Sequence, residues 1–139
     1  MRFIPCAVLI AFIEGASDAF TMIVDAFAKE DLKSLQGLLG AELYGAFEGA
    51  IEDRKAQGLK LENTIIKFDS VKVTSAQMAG KIARIGLEFT SEQVPIMRDA
   101  KGEIVEGNPQ QIDQIIDSWV FERDIRSEDP NWRLVQTEE

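Results

Sequence analysis

Ile115-Ile116-Asp117-Ser118-Trp119-Val120-Phe121-Glu122-Arg123-Asp124-Ile125 alternates with a period of two, placing Ile115, Trp119, Phe121 and Ile125 on one face together with Asp117 and Arg123. Such alternation marks a strand with two chemically different sides. Asp129-Pro130-Asn131 then makes a turn, Pro130 presetting φ for it, and Trp132-Arg133-Leu134-Val135 returns as a final strand with Trp132 as a core anchor. Working back from this pair, Asp99-Ala100-Lys101-Gly102 reads as a hairpin turn between Val94–Arg98 and Glu103–Glu106, and Gly107-Asn108-Pro109 breaks the chain again. In Lys81–Gln93, Ala83, Ile85, Leu87 and Phe89 face one way, and Arg84, Glu88 and Glu92 the other. Leu61–Thr74 also alternates, but its phase slips: Ile66 and Phe68 share one face, Val71 and Val73 the opposite one. A slip of one residue predicts a bulge or bend near Asp69-Ser70.

Before Gly58 the period is helical. Ala16, Ala19, Phe20, Ile23, Val24 and Phe27 recur at steps of three and four, giving one apolar stripe that ends near Lys29. Asp31 is placed to cap a short second helix carrying Leu32, Leu35, Leu38 and Leu39, closed by Gly40. A third helix bears Leu43, Tyr44, Phe47, Ala50 and Ile51, continues through the solvated run Glu52–Lys55 and stops at Gly58. Three helices followed by a strongly bent antiparallel sheet is an α+β order. A bent sheet over an amphipathic helix makes a cone with an apolar interior.

The 139 residues fit one domain, and 45% apolar with 28% charged residues is an ordinary globular composition. There is no histidine, which removes the commonest general base and metal ligand. Cys6 is the lone cysteine, so neither an internal disulfide nor a cysteine-rich zinc site can form. The net charge of −9 and the absence of any basic run interleaved with aromatics argue against a nucleic-acid surface. Simple attraction to anionic lipid is disfavoured for the same reason.

Phe3–Ile13 is apolar but too short to span a bilayer, which takes about 20 residues. We therefore expect an apolar arm over residues 1–13 and a domain over 14–139. Phe3, Val8, Leu9, Ile10, Phe12 and Ile13 are the candidates for contact with a membrane interface, a partner or a second copy. Docking of the same segment on the domain's own core is an equal reading. A short secretory signal with Gly15 and Ser17 near its cleavage site is a lesser one, since cleavage would cut into helix one.

Glu14-Gly15-Ala16 with Phe20, Ile23-Val24, Ala26-Phe27 and Asp31-Leu32 resembles the opening of the Tim44-like domain. Ser91-Glu92-Gln93 fits the same pattern, as do Asp117-x-Trp119-x-Phe121-x-Arg123-Asp124 and Asp129-Pro130-Asn131-Trp132-x-Leu134. The resemblance covers about residues 14–137. It implies a cone-shaped fold similar to nuclear transport factor 2, with three helices on a curved sheet around a deep apolar pocket. It carries over no catalytic residue and no cofactor. What it implies instead is a membrane-associated scaffold in protein translocation or membrane-protein assembly, at the bacterial inner membrane. The domain begins almost at once here, so the roles expected from the resemblance are scaffolding and attachment to the membrane, with motor recruitment left open.

The pocket candidates are Phe20, Ile23, Phe27, Tyr44, Phe47, Leu87, Phe89, Trp119 and Phe121. Either they simply pack as core or they line a hollow for a lipid acyl chain or a partner's apolar side chains. Asp117, Arg123 and Glu88 could stand at its mouth as an enzyme's acid and base, but cross-strand ion pairing beside Arg84 is the simpler expectation. The expected partners are membrane lipid and translocation or assembly proteins, with no nucleic acid, no metal and a homodimer possible. The alternative function is a small-molecule binder or an isomerase/dehydratase-like enzyme on the same scaffold.

Overall fold

The computed structural model describes residues 6–128 and 132–138, without the side chains of residues 6–11 and 14. Three helices, α1 (Cys6–Ala28), α2 (Leu32–Leu38) and α3 (Ala41–Ala56), precede five strands. These are β1 (Lys60–Ala79), β2 (Ile82–Arg98), β3 (Ile104–Glu106), β4 (Asp113–Asp124) and β5 (Arg133–Glu138). The chain is thus α+β, with one antiparallel sheet in the order β1-β2-β4-β5 and β3 paired to the far end of β2. Among the described residues no helix is long and apolar enough to cross a membrane.

The sheet bends because β1 and β2 are too long to lie flat. Twenty residues of straight strand would run about 66 Å, whereas a chain of this length folds to a radius of gyration of about 14 Å. Three register shifts in β1 break the straight path, between Ile65 and Lys67, Phe68 and Ser70, and Val73 and Ser75. The second is the bend expected at Asp69-Ser70. The first corrects the expected facing of Ile66: the extra residue turns Ile66 outward, while Ile65 and Phe68 both pack on the core. Opposite the third shift stands Gly86, where an added Cβ would lie 2.5 Å from Ser75 Oγ. A side chain there would force the Ser75 hydroxyl to turn away before the bulged strand could close on β2.

The two strands expected over residues 81–98 are one, and Pro95 lies inside it. It is tolerated in the gap between β4, whose pairing ends at Gln93, and β3, which starts opposite Met97. Gly107, at φ +94, folds against this point, and a Cβ on it would run into the Pro95 carbonyl oxygen. The Asp99–Gly102 turn forms as expected, with the Asp99 carboxylate accepting from the Lys101 and Glu103 backbone N–H groups. The turn expected at Asp129-Pro130-Asn131 lies outside the described residues.

Helix α1 crosses the concave face. Ala16, Phe20, Ile23 and Ala26 are buried on it, with Leu35, Leu39 and Ile51 from the other helices. From the sheet, Ala83, Ile85, Leu87, Phe89, Phe121 and Leu134 complete the core. No break separates an arm from a domain, because α1 runs unbroken from Cys6 through residue 14 to Ala28. Phe12 is 5% exposed, its ring 4.7 Å from Trp132 and 5.3 Å from Phe121. Its place is in the core, which corrects its expected role in external contact: the helical stripe extends a turn further towards the N-terminus than the Ala16 start suggested.

Asp31 caps α2 as expected, accepting from the Ser34 hydroxyl at 2.6 Å and the Ser34 backbone N–H at 3.1 Å. These two bonds, the hydroxyl first, hold its carboxyl below the ordinary value of 3.8. A depressed folded-state pKa stabilises the fold fully above 3.8, and that contribution is lost as pH falls through the depressed value. An NMR titration of the Asp31 side-chain carboxyl carbon should therefore find a midpoint below 3.8, moving up toward it in Ser34→Ala. Phe12→Ala should lower unfolding free energy by about 3 kcal/mol, the cost of emptying a buried aromatic site, measured by urea denaturation. A free arm at this position would show no change.

Candidate functional site

Beside the filled core the helices and sheet part to leave a cleft of 490 Å³. Its helical walls come from Ile23, Val24 and Phe27 on α1 and Leu43, Ala46, Phe47 and Ala50 on α3. The sheet supplies Leu61 and Asn63 from β1, Gln93 and Pro95 from β2, Ile115, Asp117 and Trp119 from β4, and Thr137 from β5. The volume falls within the range of about 300–1,000 Å³ usual for small-molecule sites. The cleft is open because the wall residues are small: Ala46 and Ala50 cannot reach across to the sheet, as a leucine would.

Four of the nine pocket candidates line this space: Ile23, Phe27, Phe47 and Trp119. Phe20, Leu87, Phe89 and Phe121 are at most 1% exposed and belong to the solid core. Tyr44 packs against that core without lining the cleft. Of the contact candidates, Ile13 is exposed on α1 and Phe12 is buried. Phe3 and the side chains of Val8, Leu9 and Ile10 lie outside the described residues.

The polar floor of the cleft is where sequence reasoning fell short. On the inner face of β2 the run of buried apolar residues Ala83, Ile85, Leu87 and Phe89 gives way to Ser91 and Gln93, both buried. Asn63 Nδ2 donates to Gln93 Oε1 at 2.7 Å, and Gln93 Nε2 donates to Ser91 Oγ at 2.8 Å. Asn63 Oδ1 is buried and has no partner. Asp117 lies on this inner face, as its spacing with Trp119 indicated. The cross-strand ion pair forms between Arg84 and Glu122 at 2.7 Å, directly opposite each other on β2 and β4. The sequence reading passed over Glu122, although its i+2 relation to Val120 marked it as outward-facing.

Arg54 sets the spacing of the helical walls. It is 6% exposed, and its Nη2 donates to the Phe27 carbonyl at 2.7 Å and the Ala28 carbonyl at 3.4 Å. Those are terminal carbonyls of α1, which carry partial negative charge and no intrahelical partner. The guanidinium carbon also sits 4.9 Å from the Phe27 ring centroid, while Phe27 meets Phe47 edge-on at 5.3 Å. Burial pushes the Arg54 guanidinium's pKa below its ordinary value, with the charge of Glu30 opposing the shift. Among the described residues no group of three His, Cys, Asp or Glu side chains is placed to hold a metal ion.

A family model described as the Tim44-like domain matches residues 9–139, which takes in both helical walls and the whole sheet. The chain belongs to the Tim44-like domain family. It is 26% identical over 121 residues to the human mitochondrial import inner membrane translocase subunit TIM44, covering 86% of this chain and 27% of that protein. The mouse protein of the same name is 22% identical over the same length and shares, and Arabidopsis thaliana TIM44-1 is 21% identical over 129 residues, 88% of this chain and 27% of the relative. This Tim44-like chain spans about a quarter of the length of these curated relatives. Among solved structures, the intermembrane space region of chloroplast protein ARC6 superposes with a TM-score of 0.60 at 12% identity, over 90% of this chain and 93% of that one. That likeness is one of fold.

Replacing Arg54 should loosen the two helical walls of the Tim44-like cleft. For Arg54→Ala the expected loss is about 1.5–3 kcal/mol, the worth of a charge-assisted hydrogen bond, measured by thermal or urea unfolding. Arg54→Lys should recover only part of it, because a lysine lacks the planar fork that rests on Phe27.

Proposed function

We propose that this chain is a non-enzymatic, membrane-associated binding domain in protein translocation or membrane-protein assembly. The observation that carries the reading is the family match, which spans the cleft and reaches relatives named as subunits of an inner-membrane import translocase. We place the chain at an inner membrane, and its architecture in the nuclear-transport-factor-2-like class of cones. The cleft, with Phe27, Phe47, Leu61, Ile115 and Trp119 in its walls, receives an apolar chain: the acyl part of a lipid, or side chains of a translocation partner.

Attachment to the membrane runs through the apolar residues Val8, Leu9, Ile10 and Ile13 in α1's first turns. Of these, Ile13 is 41% exposed. With a net charge of −9, the driving force is apolar burial and not attraction to anionic headgroups. Geometry weighs against the enzyme alternative in one specific respect: Tyr44, the only tyrosine in the sequence, does not line the cleft that holds Asp117. No phenol there can donate to a developing oxyanion.

The membrane part is tested by co-sedimentation with phosphatidylcholine vesicles. The wild-type chain should pellet with them and keep doing so when salt is raised. A variant with Val8, Leu9, Ile10 and Ile13 all changed to serine should stay in the supernatant while unfolding at the same urea concentration. Equal, negligible pelleting of both proteins would remove lipid from the proposal.

A further inference from the structure

β1 is an end strand of the sheet. Its 20 residues pair with β2 on one side, and no strand lies on the other. Among the described residues, no backbone hydrogen bond from a helix or loop reaches Lys60–Ala79 either. Alternate residues of β1 therefore turn their N–H and C=O groups outward with no backbone partner, a ready template for another strand. The inner side chains along this edge are also short of cover. Leu61, Ile65 and Phe68 are half-buried, whereas Gln93 and Ser91, which stand opposite Ile65 and Phe68 on β2, are buried.

An open edge is usually guarded, and this one is: three bulges interrupt it, and Lys60, Lys67 and Lys72 put charge on it. Such guards turn away an arbitrary strand but not one that answers them. β1 answers itself. Down the ladder its outer side presents Lys60, Glu62, Thr64, Lys67, Ser70 and Lys72. Laid antiparallel on a second copy with the two-fold axis at Thr64, Glu62 of each strand falls opposite Lys67 of the other. Lys60 falls opposite Ser70, next to the bulged Asp69. On the inner side Leu61 meets Phe68 and Asn63 meets Ile65, so the half-buried residues gain cover.

The neighbouring registers all fail on charge. An axis at Glu62 or Lys67 sets that residue against its own copy. An axis at Asn63 sets Lys60 against Lys67, and one at Ile65 sets Lys60 against Lys72. Half-step registers bring inner residues against outer ones and are excluded by the pleat. We propose that the chain forms a two-fold homodimer in which β1 pairs antiparallel with β1 of a second copy about Thr64, joining two sheets into one. The interface is isologous, so both charge pairs form at once and the assembly closes at two. Glu62 and Lys67 are exposed in the single chain. Each holds only surface ion pairs there, Glu62 to Arg98 at 3.0 Å and Lys67 to Glu92 at 3.4 Å and Asp69 at 3.6 Å, which contribute little alone.

The test is made on the full chain in detergent-free buffer. Sedimentation velocity over a range of concentrations should show a monomer–dimer equilibrium. Lys67→Glu sets two pairs of like charges across the axis and should raise the dissociation constant roughly tenfold. Adding Glu62→Lys to it exchanges the charges and should bring the dimer back. In a Cys6→Ser background, Thr64→Cys should form an intermolecular disulfide on mild oxidation, because the two thiols face each other across the axis within disulfide reach. Gln77→Cys, on the same outer side but far down the strand, should not. Circular dichroism checks that each variant is folded, and the cysteine pair decides the matter if a charge reversal costs the fold. A monomer at every concentration, a dimer indifferent to Lys67→Glu, or cross-linking through Gln77→Cys in preference to Thr64→Cys would overturn the proposal. Self-association through the apolar first turns of α1 gives the second of these results.

Discussion

Phe20 holds the molecule together. Its ring stacks on Trp119 at 4.4 Å and tilts against Phe89 at 4.5 Å, with Phe68 edge-on at 5.4 Å. These four rings come from α1, β1, β2 and β4, so one contact joins the helix to three strands. Each such aromatic contributes about 2–3 kcal/mol by burial, and each pair about 0.5–1.5 kcal/mol more. The sheet could not keep its bend without something filling its concave side. In turn the helix has no other surface long enough to take its apolar stripe.

Where that filling stops, the cleft begins. Along the inner face of β2 the side chains pass from Leu87 and Phe89 to Ser91 and Gln93, while α3 presents Ala46 and Ala50. The interior therefore empties from one end of the cone to the other, through shorter and more polar side chains on walls already held apart. Arg54 keeps those walls from collapsing: its bonds to the end of α1 fix the spacing of α1 and α3 beside the edge-on contact of Phe27 with Phe47. A binding hollow of this kind is a packing decision, made by leaving volume out.

Much of the architecture was legible because its signals are local. The three- and four-residue steps through Phe20, Ile23 and Phe27 need only the helix's own geometry, as does the capping role of Asp31. The alternation of Ala83, Ile85, Leu87 and Phe89 needs only the pleat, and all four are buried as it requires. The family resemblance also rested on such short pieces in order, and the match over residues 9–139 agrees with it. Phe12 escaped this reading because the apolar residues around it all look alike. Which of them turns inward depends on Phe121 and Trp132, more than a hundred residues away.

The sequence by itself determined the helical stripe through Phe20, Ile23 and Phe27, the cap at Asp31, the alternation of Ala83 to Phe89, the turn at Asp99–Gly102, and that nothing in the chain offers an imidazole or a cysteine pair. Tertiary structure alone decided which apolar residues fill and which line. The physical reason sits in one bulge. Counting by twos from Phe68 places Asn63 on the opposite face, toward solvent. The extra residue between Ile65 and Lys67 reverses that phase and brings Asn63 to the inner face beside Gln93. A strand's alternation says which residues share a side only as long as its ladder is unbroken, and whether the ladder breaks is settled by the partner strand and by the curvature the core demands.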